Sequence, residues 1–103
     1  MLCFMASCKR LTFEGKTSNA IKVKTDEKFS LHFPEDHSKG INWQLDDSYD
    51  KNILDYTNSV WEGNSRGVNF LFKATKTGAT KLLFKERTFN EFTDSVFVTV
   101  AVE

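Results

Sequence analysis

Ser95-Val96-Phe97-Val98-Thr99-Val100-Ala101-Val102 is the stretch that decides the fold. Val96, Val98, Val100 and Val102 recur at every second position, with Ser95, Phe97, Thr99 and Ala101 turned the other way. A period of two marks a strand with one face buried. Moving outward, Val68, Phe70, Phe72 and Ala74 repeat the pattern against Asn69 and Lys73. Phe29, Leu31 and Phe33 alternate with Lys28, Ser30 and His32, and Ile41, Trp43 and Leu45 with Asn42, Gln44 and Asp46. Ile21 and Val23 sit between Lys22 and Lys24, and Leu82 and Phe84 belong to a run from Ala79 to Lys85.

Breaker-rich segments separate these runs: Asp26-Glu27, Pro34 to Gly40, Gly63 to Gly67, Lys76-Thr77-Gly78, and Thr88 to Asp94. Short strands at this spacing predict an all-β sandwich or barrel. Asp46 to Glu62 does not alternate cleanly and reads as a loop with one short strand or a helical turn. Trp43, in register with Ile41 and Leu45, is expected in the core; Trp61, beside the Gly63 to Gly67 segment, fits either core or surface.

A chain of 103 residues accommodates one domain, expected to take in residues 1–103 with residues 1–10 as a frayed terminal segment. At 40% hydrophobic and 27% charged it is too apolar for disorder, and its 10 Phe supply core volume. Lys+Arg and Asp+Glu are both 14, so no global basic field attracts nucleic acid or an anionic membrane. Cys3 and Cys8 lie too close in sequence for a disulfide between them to constrain the domain, and read better as separate thiols. The apolar start, Met1 to Cys8, lacks a leading basic segment and makes a poor signal peptide as it stands. No run reaches the roughly 18 apolar residues that span a bilayer, and no Asn-x-Ser/Thr sequon occurs. The compartment stays open between cytoplasm, a lysosome-like organelle and secretion.

An enzyme needs converging acid, base, nucleophile or metal groups. The two histidines are His32 and His37, and His32 falls on the polar face of a strand, where a solvated structural role is expected. The acidic run Asp46, Asp47, Asp50 and Asp55 lacks the Gly and Glu of a calcium loop; counted from Asp46, those positions hold Lys51 and Thr57. The reading is of a non-enzyme with no cofactor and no metal.

Three of the breaker segments form an ordered set. The first is Asp36-His37-Ser38-Lys39-Gly40-Ile41, followed by Asn42-Trp43; the second is Gly63-Asn64-Ser65-Arg66-Gly67; the third is Arg87-Thr88-Phe89. Together they resemble the loops of the chagasin family of cysteine-protease inhibitors, over about residues 20 to 103. There the first loop reads Asn-Pro-Thr-Thr-Gly, then an aromatic, a small residue and Trp; Gly40 and Trp43 match, while Asp36, His37, Ser38 and Lys39 replace Asn, Pro and the threonines. Gly63 and Gly67 bracket a loop similar to the family's Gly-x-Gly-Gly stretch, with one Gly missing or displaced. Arg87 and Phe89 keep the cation and aromatic of Arg-Pro-Trp, with Thr88 for Pro.

The resemblance implies an all-β, immunoglobulin-like β-sandwich of about seven to eight strands with loops gathered at one end, the first over the catalytic cysteine of the protease and the others gripping the cleft on either side. It implies a reversible inhibitor of papain-like, cathepsin L-like cysteine proteases, own or host, and a monomer when free. Losing the Pro leaves the first loop less rigid, with His37 in its place. Apart from the family, Gly40 would serve a plain turn equally well, Gly63 to Gly67 a solvated hairpin, and Phe89 with Phe92 could fold over the core edge. The alternative function is a non-inhibitory adhesion or interaction module, using Phe97 or Leu83 on a sheet face.

Overall fold

The computed structural model describes residues 8–12, 18–63 and 66–103. Eight strands form two four-stranded sheets: β1 (Cys8–Thr12), β2 (Ser18–Val23), β3 (Lys28–Phe33), β4 (Ile41–Leu45), β5 (Leu54–Trp61), β6 (Val68–Ala74), β7 (Gly78–Thr88) and β8 (Glu91–Val102). One sheet has the order β1-β3-β6-β5 and the other β2-β8-β7-β4. Counted from β3, these are the two sheets of the immunoglobulin fold, with the chain crossing between them after β3, β4 and β6. The first strands, β1 and β2, lie on different sheets and pair parallel to β3 and β8.

The alternation that predicted the strands is the alternation that fills the core. Val96, Val98, Val100 and Val102 are buried, as are Phe29, Leu31 and Phe33 from the facing sheet. Phe33, Phe70 and Phe84 make a central knot, with ring centroids 5.8 Å apart for Phe33–Phe70, 4.5 Å for Phe33–Phe84 and 5.0 Å for Phe70–Phe84. Rings at these separations add packing energy to their area burial. Tyr49 and Ile53, on the connection from β4 to β5, are buried in the same core.

Four expectations change. Asp46 to Glu62 contains an eight-residue strand, Leu54–Trp61. Its register on β6 shifts between Tyr56 and Asn58, and this bulge at Thr57 breaks the alternation. Thr88 to Asp94 is not a long loop: Thr88 pairs with Glu91, leaving Phe89-Asn90 as a two-residue hairpin turn. Residues 8–10, expected in a frayed terminus, belong to β1, while Met1 to Ser7, Cys3 included, lie outside the described residues. His32 is not solvated; it is 8% exposed on the outer face of its sheet, with Nδ1 2.8 Å from Asn69 Oδ1 and 3.9 Å from Glu62 Oε1. Its outward position is covered because Asn69, its partner in register on β6, is buried as well.

Candidate functional site

Strand directions alone bring three connections to one end. The chain leaves β3 at Phe33 and enters β4 at Ile41; it leaves β5 at Trp61 and enters β6 at Val68; it leaves β7 at Thr88 and enters β8 at Glu91. Antiparallel pairing of β3 with β6, β5 with β6, β4 with β7 and β7 with β8 forces these ends to coincide. Two of the connections occupy the places where antibody variable domains carry recognition loops.

The first loop is tightly built. After Pro34 and Glu35 it forms a short 3-10 turn, His37–Lys39, capped by Asp36, whose carboxylate accepts from the Ser38 N–H at 3.0 Å and from the Ser38 hydroxyl. Those bonds, the hydroxyl's first, hold the Asp36 carboxyl below its usual range against a smaller opposing effect of desolvation. Gly40 ends the turn at φ 73°, and its N–H donates to His37 O at 3.1 Å. Ile41 N then donates to Asp36 O at 2.9 Å, closing the loop into a bridge with Asp36, while Lys39 points to solvent. The loop, expected to be less rigid, is held by this internal bonding.

Glu35 anchors the loop from beneath. It is 7% exposed, and its Oε2 accepts the Trp43 N–H at 2.7 Å while Oε1 lies 2.9 Å from His37 Nε2. Trp43, expected in the core, is partly buried against it: it packs on Phe33 at 4.8 Å, and its indole N–H donates to Pro34 O at 3.0 Å. The same fold therefore fixes the loop at its start, its tip and its exit.

The second and third loops touch the first. The His37 ring stacks on Trp61 with centroids 4.5 Å apart and planes 2° from parallel, joining the first loop to the strand that leads into the second. Gly67 lies so close to the first loop that a Cβ there would stand 2.1 Å from Phe33 O and 2.9 Å from Pro34 Cα. Within the second loop Gly67 and Arg66 donate to Gly63 O at 2.9 and 3.1 Å, and Arg66 is exposed. Asn64 and Ser65 lie outside the described residues. From the third loop, Phe89 N donates to Gly40 O at 2.9 Å, and the Phe89 ring covers the position a Gly40 Cβ would take, at 2.6 Å.

Phe89 does not fold over the core edge. It is 69% exposed, and Phe92 is 60% exposed. Phe89 also has φ 56° at the first position of its two-residue turn, where the turn chemistry favours glycine. Thr88 pairs with Ile41, and Arg87 with Asn42, so the third loop is carried by the strand beside the first. The Arg87 guanidinium carbon lies 5.8 Å from the Phe92 ring centre.

Sequence reasoning did not single out Glu35, and it left Trp61 open. Glu35 gave no signal, because its role depends on the pairing that sets Trp43 above it. Trp61 could have been suspected from its place at the mouth of the second loop. Among the described residues, no group of three or more His, Cys, Asp or Glu is arranged to hold a metal ion.

No family profile and no curated protein matches the sequence. Solved structures do match the fold. A cysteine protease inhibitor, EhICP2, from Entamoeba histolytica superposes with a TM-score of 0.74 at 14% identity, over 93% of this chain and 95% of that one. Amebosin superposes with a TM-score of 0.67 at 21% identity, over 92% of this chain and 97% of its own. The chain therefore has the all-β, immunoglobulin-like fold that a cysteine protease inhibitor also adopts, and its resemblance to chagasin-type inhibitors holds at the level of the fold.

Proposed function

We propose that the protein is a reversible inhibitor of papain-like, cathepsin L-like cysteine proteases, and that it acts by laying the rim of three loops into the protease cleft. Asp36 to Ile41 would lie over the catalytic cysteine, with Gly63 to Gly67 on one side and Arg87, Thr88 and Phe89 on the other. The protein then needs no catalytic group of its own; it works by occupancy.

The observation that carries this reading is Phe89. A large apolar ring stands 69% exposed at the tip of a turn, on a backbone held at φ 56°. Left-handed backbone costs an ordinary residue about 1–2 kcal/mol, and an exposed ring returns little burial energy. Strain of this kind collects at binding sites. The cost makes sense where the ring is buried by a partner, as aromatic and Arg side chains are at interface hot spots. The neighbouring rings and backbone agree: Gly40, His37 and Trp61 form one surface with it.

A rigid loop end suits this task. Preorganised contacts reduce the entropy lost on association, and the first loop is fixed by Asp36, Glu35 and Trp43 before any partner arrives. An interface of about 1,600 Å² in total would suffice for tight binding. The test is a peptidase titration with papain and a cathepsin L-like enzyme. Competitive loss of activity, with the added protein recovered uncleaved, is expected. Full activity at micromolar protein across several such enzymes would overturn the reading.

A second reading, a non-inhibitory interaction module, draws support from Phe97, which is 39% exposed on a sheet face, though Leu83 beside it is half-buried. It predicts a partner that binds normally after the Gly40 and Phe89 positions are altered.

A further inference from the structure

We propose that the outer face of the β2-β8-β7-β4 sheet extends the third loop into a second contact surface, one that takes a carboxylate-rich protein surface bordering the protease cleft. This deepens the inhibitor reading and rests on it.

The face follows from register. Lys81, Leu83, Lys85 and Arg87 project outward from β7, where they pair with Thr99, Phe97, Ser95 and Phe92 of β8. On the next strand Lys22 pairs with Ala101 and joins the same face. Glu86 turns to the opposite side, where its Oε1 accepts from the Thr93 hydroxyl at 3.0 Å. Two carboxylates border the row: Asp94, which lines one hollow with Lys85 and Phe92, and Asp46, 3.5 Å from Lys85.

Each exposed aromatic on this face carries a cation. Lys81 lies 5.3 Å from the Phe97 ring centre, and Lys85 lies 5.5 Å from that of Phe92, which also holds Arg87 at 5.8 Å. Contacts of this kind position the cations over apolar ground, giving a surface that offers both charge and area. Phe92 and Phe97 are 60% and 39% exposed.

Arg87 selects the occupant, because it belongs both to the third loop and to this face, so a partner seated on the rim meets the row without a gap. Lys22, Lys81, Lys85 and Arg87 outnumber the two carboxylates that border them, Asp46 and Asp94, and a surface with this excess of cations speeds encounter with an acidic partner.

The test measures association and dissociation rates of the intact protein with papain or a cathepsin L-like enzyme that it inhibits, at low and high salt. The Lys81→Glu/Lys85→Glu double variant, which touches neither loop tip nor core, should associate about tenfold more slowly at low salt, with the difference shrinking at high salt. Phe92→Ala should dissociate faster. Thermal melts of both variants establish that they fold. A wild type that inhibits, with rates indifferent to salt and to these changes, would overturn the second surface and leave the inhibitor reading standing. A wild type that inhibits no such enzyme overturns both. Binding of a fluorescent oligonucleotide that the double variant loses, with protease kinetics unchanged, would assign the face to nucleic acid and refute the proposal.

Discussion

Replacing Gly40 with alanine perturbs the molecule in two ways that can be separated. The φ of 73° at this position costs an L-residue about 1–2 kcal/mol. The new Cβ would also stand 2.6, 2.7 and 2.8 Å from three ring carbons of Phe89. Carbon atoms rest at about 3.5–4.0 Å, so the ring must retreat by roughly 1 Å. Because Phe89 is largely in solvent, that retreat is cheap for folding but displaces the proposed contact. Stability should therefore fall by about 1–2 kcal/mol, at roughly 4–8 °C of Tm per kcal/mol for a domain of this size. Inhibition should fall further than stability does. The discriminating experiment is a cycle of Gly40→Ala, Phe89→Ala and the double variant, read by thermal melts and by inhibition constants against papain. Stability losses should couple only weakly, by about 0.5 kcal/mol, at the low end for residues in contact, because the displaced ring is largely in solvent. Inhibition losses should not add, since removing the ring already removes what the Cβ displaces. Additive inhibition losses, or an unchanged inhibition constant for Gly40→Ala, would refute the idea that the first and third loops act as one surface.

Phe89→Gly should raise stability by about 1 kcal/mol by relieving the left-handed backbone, while weakening inhibition; a melt no higher than wild type would remove the strain argument. Glu35→Ala should lower stability by about 1 kcal/mol in a denaturant titration, because it leaves the partly buried Trp43 N–H without its acceptor. Glu35→Gln, which keeps an oxygen there, should lose less. Asp36 has a lowered pKa in the folded loop, so its cap is present above the ordinary carboxylate range and is lost as pH falls through the lowered value. Ser38→Ala removes the main cause, and carboxyl NMR should show the Asp36 titration moving upward. Phe84→Ala, at the centre of the aromatic knot, should cost about 3–5 kcal/mol, and a mild effect would show that the core is not packed around that ring.

Most of the sandwich was legible because its strands are buried on one face and hydrated on the other. Val96 to Val102 and Phe29 to Phe33 carry that contrast in their residue types. Where the contrast fails, so did the reading. Glu91 to Ser95 are all exposed, since the β7–β8 hairpin runs past the core, and no alternation survives there. On β5 the bulge at Thr57 shifts the phase, and an edge position leaves Asn58 to Trp61 in solvent. His32 was misjudged because a polar face need not be a wet one.

The candidate site was legible as three segments in order, through Gly40, Gly67, Arg87 and Phe89. Their assembly was not. The His37–Trp61 stack, the Glu35 clamp and the seating of Phe89 on Gly40 depend on registers between strands far apart in sequence. These contacts make the loops one surface, and no local pattern encodes them.

The most direct measurement is the rate at which a small alkylating reagent modifies the catalytic thiol of papain while the protein is present in saturating excess. Occlusion by the rim predicts strong protection that is lost in the Gly40→Ala/Phe89→Ala variant. Alkylation at the unhindered rate would contradict the account, because the groove would then be open with the protein in place.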